Sequence, residues 1–270
     1  MARSRWASPR SESASSRPAS TFKELIARTL FATARENSRY AINGVLLIRT
    51  ENRLEMVATD GRRLALARTS IPKSDFRGDS LRCIVPTKAL QLLQKLISTD
   101  PDEQIEIAVA DNAVLFRVGG GVGGDGDQPP RATLRSVLVE GSFPPYEDVI
   151  PKDCDIMVTL DRDLVSSAVR RAALLTNEES RGVRLAFDGS ERRLKLSSRA
   201  PEMGEANIEI DVAEYKGDDI EIGFNPGFIT EALRVIPQPE VMLELKAPGK
   251  PGLIKSGSDF VYVVMPVNLQ

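Results

Sequence analysis

Hydrophobic and polar residues follow two rhythms along this chain, and the rhythm switches at regular intervals. Phe22, Leu25, Ile26, Thr29 and Leu30 recur at helical spacing, and Thr21 with Glu24 three places later has the form of a capping box. A helix of about three turns is therefore predicted from residue 21. Runs rich in β-branched and aliphatic residues predict strands over 40–50, 54–59, 63–68 and 81–85. Between the second and third of these, Asp60-Gly61 has the composition of a tight hairpin turn, with glycine supplying a positive φ. After Pro86 the helical rhythm returns over 87–98, with Ala89, Leu92, Leu93 and Leu96 expected to face inward. Strands follow at 105–110, 113–118 and 131–139.

The second half repeats the scheme. A strand over 156–160 leads into a helix over 161–176 with an apolar stripe of Leu164, Ala168, Ala172 and Leu175. Strands are predicted at 183–187, 194–198, 206–210 and 220–224. Asn225 as cap and Pro226 in the first turn then open a helix carrying Ile229, Leu233 and Ile236. Strands at 241–245, 253–255 and 260–265 complete the chain. The order "strand, Pro or Asn-Pro, helix, paired strands" occurs in SLRCIVPTKALQLLQKLI and again in DIEIGFNPGFITEALRVI. The predicted class is α+β: two domains, each a doubled strand-helix-strands unit with helices on one face of antiparallel sheets. Residues 1–20 read as a disordered Ser/Arg-rich leader, 21–139 as the first domain, 140–151 as an extended connector around Pro144 and Pro145, and 152–270 as the second domain.

Composition narrows the chemistry. With 38 acidic and 36 basic residues, a surface for nucleic acid has to come from segregating charge onto one side. The absence of histidine excludes Ser-His-Asp and Cys-His nucleophile systems and His-containing zinc sites. Cys83 and Cys154 are too few for a disulfide framework and are expected to be reduced, buried thiols of a cytoplasmic protein. No apolar run reaches the length of a membrane span, and the leader has no apolar core of a secretory signal. The GGGVGGDGD run lacks the Lys-Ser/Thr of a phosphate loop and reads as a hairpin tip. No metal and no cofactor are predicted. On the helices, Arg162, Ser166 and Arg170 share one polar face, and Lys88, Gln91 and Lys95 share another.

Six segments, in order, carry a resemblance: RYAING at 39–44, VATDGRRLALA at 57–67, GSFPPYEDVIP at 141–151, NEESRGVRL at 177–185, EIGFN at 221–225 and YVVMPVNLQ at 262–270. Together they resemble the bacterial DNA sliding clamp, the beta subunit of DNA polymerase III, in its second and third domains. The resemblance implies a non-catalytic processivity factor that encircles double-stranded DNA without reading sequence. It also implies docking of the DNA polymerase III catalytic subunit, the clamp loader and repair polymerases through short linear peptides.

Carried over onto this chain, the DNA-facing residues are Arg28, Arg39, Tyr40, Lys88, Lys95, Arg162, Arg170 and Arg234. The peptide groove comprises Ile42, Thr59, Gly61, Arg62, Arg63, Leu64, Pro144, Val149, Val263, Met265, Pro266, Val267 and Leu269. Leu174 and Leu175 match the protomer interface. Asp148 and Asn268 stand where the family often has basic residues, and Ala41 where it often has an aromatic. The family's first domain has no counterpart, and the strand expected before the first helix is missing, because the polar leader is not strand-like. That omission predicts an unpaired edge in the first domain. The alternative reading is a truncated clamp-like protein-binding module that forms no ring on DNA.

Overall fold

A single plan, strand-helix-three strands, is executed four times. The computed structural model describes residues 15–34, 42–71, 80–110, 112–120, 129–176, 182–200 and 204–268. Contacts divide the chain into two units. One runs to Asp60 and resumes over Leu66–Pro144, and the other comprises Gly61–Ala65 and Pro145–Gln270.

In the first unit β1 (Ser15–Pro18) and α1 (Ala19–Thr29) precede β2 (Gly44–Arg49), β3 (Arg53–Thr59) and β4 (Arg63–Ser70). Then β5 (Leu81–Pro86) and α2 (Thr87–Leu96) precede β6 (Gln104–Ala110), β7 (Ala113–Val118) and β8 (Ala132–Val137). Each lead strand pairs with the other half's three strands: β1 with β6, and β5 with β2, both antiparallel. The sheet orders are β1-β6-β7-β8 and β4-β3-β2-β5. This exchange interlocks the halves, because neither set of three strands is complete without a strand from the other. Phe22 of α1 meets Phe116 of β7 with ring centroids 5.8 Å apart, and both are fully buried.

The second unit repeats the exchange. Its elements are β9 (Ile156–Asp161), α3 (Arg162–Ala172), β10 (Val183–Asp188), β11 (Arg193–Ala200), β12 (Gly204–Asp211) and a short β13 (Glu214–Lys216). After them come β14 (Ile220–Phe224), α4 (Pro226–Arg234), β15 (Glu240–Leu245), β16 (Gly252–Ser256) and β17 (Phe260–Val264). β14 pairs with β10, and β9 with β15. The orders are β12-β11-β10-β14 and β13-β9-β15-β16-β17. The opening residues of β4, Arg63–Ala65, count with this unit and lie beside β17.

The predicted α+β class and the repeat are present, with several corrections. The strand expected to be missing is supplied by Ser15–Pro18, which pairs with Gln104–Ile107. A ladder is made by backbone groups, so a polar edge segment can serve, and Pro18 is tolerated at an edge. Thus β6 is not left as the outer strand of its sheet, and the expected leader is structured from Ser15. The Thr21–Glu24 capping box is not formed. Helix α1 starts two residues earlier, its Ala19 N–H donates to the Glu103 carbonyl at 2.7 Å, and Glu24 pairs with Arg28 at 2.6 Å.

On α3 the buried stripe is Val165, Ala168, Val169 and Ala172, one residue out of phase with the expected Leu164 and Leu175. On α2, Leu90 is buried while Leu92 is exposed, so the expected inward Leu92 faces out. Cys83 is buried, and burial pushes its thiol up to about 12, whereas Cys154 is only half-buried. No helix among the described residues is long and apolar enough to cross a membrane.

Candidate functional site

The site grows from a corner. Between β3 and β4 the chain turns at Asp60–Arg62, with Gly61 at φ +86°, a left-handed value at which a Cβ is strained. The turn exposes Arg62 and sends Arg63 inward at the start of β4, where it is 7% exposed.

Helix α4 receives Arg63. Asn225 caps it, its side-chain oxygen accepting from the Gly227 N–H at 2.9 Å, and Pro226 occupies the first turn. This start sets the phase that puts Ile229, Ala232 and Leu233 in the core. Phe228 and Glu231, three residues apart, then flank the stripe on a common side. The Arg63 guanidinium donates to Glu231 and lies 4.4 Å from the centre of the Phe228 ring. From β17, fully buried Tyr262 donates its hydroxyl to the Phe228 carbonyl at 3.0 Å and also meets Arg63. Burial opposes the charge on Arg63, but the bond to Glu231 and the interactions with Tyr262 outweigh it, so its pKa is raised. Arg63 is a fixed cation at working pH.

The tail is tied to the same corner. The Met265 N–H donates to the Arg62 carbonyl at 2.9 Å, and the Val267 N–H donates to the Gly223 carbonyl of β14 at 2.9 Å. Met265 is exposed and Pro266 and Val267 are half-buried, so an apolar strip is pinned by backbone bonds with its side chains accessible. Val149, in the same unit after the 3-10 turn Tyr146–Asp148, is also exposed.

Of the expected groove residues, the structure thus brings together Gly61, Arg62, Arg63, Met265, Pro266 and Val267. Leu64 and Val263 are core residues of their strands, almost without surface, in stretches of β4 (Arg63–Ala67) and β17 (Phe260–Val264) that are buried throughout. They support the site rather than line it. Ile42, Thr59 and Pro144 belong to the first unit, the first two buried, and Leu269 lies outside the described residues. The sequence reading missed Phe228, Glu231 and Tyr262. The available signal was an acid beside the apolar stripe of α4, three residues after an aromatic.

The expected cationic residues divide. Lys88 and Lys95 on α2, Arg170 on α3 and Arg234 at the end of α4 are exposed, as is the unpredicted Arg171. Arg28 is a correction: it is buried against the core with its charge held by Glu24, because its stem completes the inner face of α1. Arg162 is half-buried, gripping Asp163 at 2.9 and 3.0 Å and donating to the Ile236 carbonyl at 2.8 Å. The bond to Asp163 raises the pKa of Arg162 and lowers that of Asp163. Arg39 and Tyr40 lie outside the described residues. Leu174 is exposed and Leu175 half-buried in the 3-10 turn Ala173–Leu175. Among the described residues no group of three or more Cys, Asp or Glu side chains is placed to hold a metal ion.

Comparison with known proteins gives a consistent picture. The family model described as DNA polymerase III beta subunit, central domain, matches residues 17–145, and that for its C-terminal domain matches 147–268. The beta sliding clamp of Pseudomonas putida KT2440 is 37% identical over 252 residues, which is 93% of this chain and 64% of that protein. The beta sliding clamp of Escherichia coli K12 is 34% identical over 254 residues, again 93% and 64%. The chain therefore spans less than two thirds of the length of these relatives. Among solved structures, a DNA polymerase sliding clamp from Pseudomonas aeruginosa superposes with a TM-score of 0.84 at 34% identity, covering 97% of this chain and 68% of that one. A sliding clamp from the same organism bound to griselimycin gives 0.84 at 32% identity, covering 97% and 67%.

Proposed function

The chain belongs to the family of the DNA polymerase III beta subunit, the bacterial sliding clamp, and on that premise we propose that it acts as a processivity factor: it tethers replication and repair proteins to duplex DNA in the cytoplasm and performs no chemistry of its own. The observation that carries this reading is the accessible apolar tail strip, Met265–Val267, pinned to the Arg62 carbonyl beside the locked Arg63. A short peptide laid along such a strip would bury aliphatic side chains on a surface already ordered, so little entropy is lost on docking. Met265 adds an adaptable thioether. Lys88, Lys95, Arg170 and Arg234 supply exposed cations for phosphate, which suits contact that does not depend on sequence.

The second reading is a peptide-docking module that does not enclose DNA. It is favoured by the loss of Arg28 to the core and of Arg162 to Asp163, which thins the cationic surface while leaving the tail site complete. One experiment separates the two. Closed circular plasmid should retain the protein through a sizing column and release it on linearisation. Equal retention on both forms, or none on either, together with preserved binding of polymerase-derived peptides, would select the module. Loss of peptide binding as well would sink both.

A further inference from the structure

In the second unit the strands β13, β9, β15 and β16 lie side by side, and one row of residues crosses all four. Glu214 stands opposite Thr159, Thr159 opposite Met242, and Met242 opposite Lys255. Directly paired residues share a face of a sheet, so these four side chains project together. With Gln238, Glu240 and Ser256 near the strand ends they line a cleft of about 470 Å3, which falls within the roughly 300–1,000 Å3 of ligand sites. The Ser256 hydroxyl donates to the Gln238 side-chain oxygen at 2.5 Å and ties one wall of the cleft together.

The charges of the cleft do not cancel. The Lys255 ammonium is neutralised by Glu244, donating to its two carboxylate oxygens at 2.7 and 2.8 Å. Glu214 and Glu240 are exposed, and among the described residues neither has a salt-bridge partner. Glu240 also stands directly opposite Asp161, an arrangement of like charges that weakens a sheet. Asp161 caps α3, accepting from the Leu164 N–H at 2.7 Å, and brings no cation to the strand pair. Lys216 lies one row further on, opposite Met157 and outside the cleft.

The floor is apolar. Met242 is 40% exposed, and Met157, on the neighbouring strand and diagonal to it, is 38% exposed. A thioether floor beside two carboxylates complements a long apolar stem that ends in a cation. Arginine fits better than lysine, because its planar fork can bridge two carboxylates while an ammonium is a point charge. Strand and residue spacings put the Cα atoms of Glu214 and Glu240 about 12 Å apart, a span across which two glutamate side chains can close on one guanidinium. The same acids repel phosphate, so nucleic acid is a poor occupant.

We propose that this cleft docks an arginine-bearing, otherwise apolar segment of a partner protein, with the guanidinium held between Glu214 and Glu240 and its stem laid along Met242. The site is separate from the tail strip. Ser256 ends β16, whereas Gly252 at its start pairs with Val264 just before Met265, so cleft and strip lie at opposite ends of that strand.

NMR of the whole chain with methyl-labelled methionine tests it, using the blocked peptide Ala-Val-Arg-Val-Ala as probe and Ala-Val-Gln-Val-Ala as its uncharged counterpart. The arginine peptide should move the Met242 and Met157 methyl signals to saturation while the Met265 signal stays in place. Glu214→Gln and Glu240→Gln should each weaken binding roughly threefold, and together roughly tenfold, as partly exposed charge contacts do. Glu240→Gln should not lower the melting temperature, since it also removes the repulsion from Asp161. A Met242 signal that does not move at millimolar peptide overturns the proposal. So does a glutamine peptide that binds as well as the arginine one, or a double variant that binds as tightly as the wild type. A Met242 signal that shifts with protein concentration alone gives the face to a second copy and overturns it too.

Discussion

Replacing Glu231 probes whether the Arg63 cluster organises the tail. Arg63 is almost fully buried, while the Glu231 side chain is 32% exposed, so the pair lies between two regimes. Breaking a fully buried pair costs about 3–5 kcal/mol, and an exposed pair is worth at most about 1 kcal/mol. Glu231→Ala should therefore cost about 2 kcal/mol, since the guanidinium keeps the Phe228 ring and Tyr262 but loses the Glu231 carboxylate. Glu231→Gln keeps an acceptor and should cost about 1 kcal/mol, the charged part of a charge-assisted bond. In an Arg63→Met background the same change should be nearly neutral, because no buried cation remains to be stranded.

Urea denaturation of wild type, Glu231→Ala, Arg63→Met and the double variant gives the coupling as a double-mutant cycle, and a value of about 2 kcal/mol is expected. Hydrogen exchange at the Met265 amide supplies a second readout, because that N–H bonds to the Arg62 carbonyl next to Arg63. If the cluster holds the corner, the amide should exchange roughly tenfold faster in Glu231→Ala, or more. A coupling within about 0.3 kcal/mol of zero, or an unchanged Met265 amide, would refute the claim that Arg63 fixes the tail.

Other consequences follow from the same geometry. Glu103 is buried; burial raises its pKa, but the Ser98 N–H and Arg131 outweigh that and hold it below the usual carboxylate range. It thus contributes stability above its unfolded pKa of about 4.3 that is lost as pH falls through the lower folded value, and Glu103→Gln should flatten the acid limb of a melting-versus-pH curve. At Gly252 an added Cβ would meet the Phe224 ring at 2.7 Å and Leu245 at 3.2 Å, so Gly252→Ala should cost about 1–3 kcal/mol by calorimetry. Deleting residues 1–18 removes β1. The lost ladder bonds, about 1 kcal/mol each, are partly offset by chain entropy, so light scattering from the newly opened β6 edge should change more than the melting temperature does.

The elements that were legible in the sequence are those whose signals are local. Asn225-Pro226 and the Ile229, Leu233, Ile236 spacing fix α4 because capping and periodicity act within one or two turns. Gly61 marks its turn because positive φ belongs to a single residue. What failed depends on partners elsewhere. β1 has no apolar pattern, as its register with β6 is held by backbone bonds. The three residues of β13 are too short for alternation to show. The phase of α3 was ambiguous because Ala168 and Ala172 fit either stripe, and packing chose Val165 and Val169 over Leu164 and Leu175. Arg63 and Glu231 are 168 positions apart, beyond any periodic signal.

Arg63 illustrates how burial reassigns a charge that sequence alone would send to the surface. A cation at the head of a strand next to an Asp-Gly corner invites a role in gripping a ligand. Inside the second unit it is consumed by Glu231, Phe228 and Tyr262, and what it gives the site is rigidity. Under the proposed docking role, selectivity toward a peptide would rest with residues that keep surface there, chiefly Arg62 and Met265, and with Val149 for a peptide long enough to reach it. The same reasoning separates Arg28 and Arg162 from Lys88, Lys95, Arg170 and Arg234: a carboxylate within bonding distance turns a cation into a structural tie, and only those that keep solvent around them remain available to phosphate.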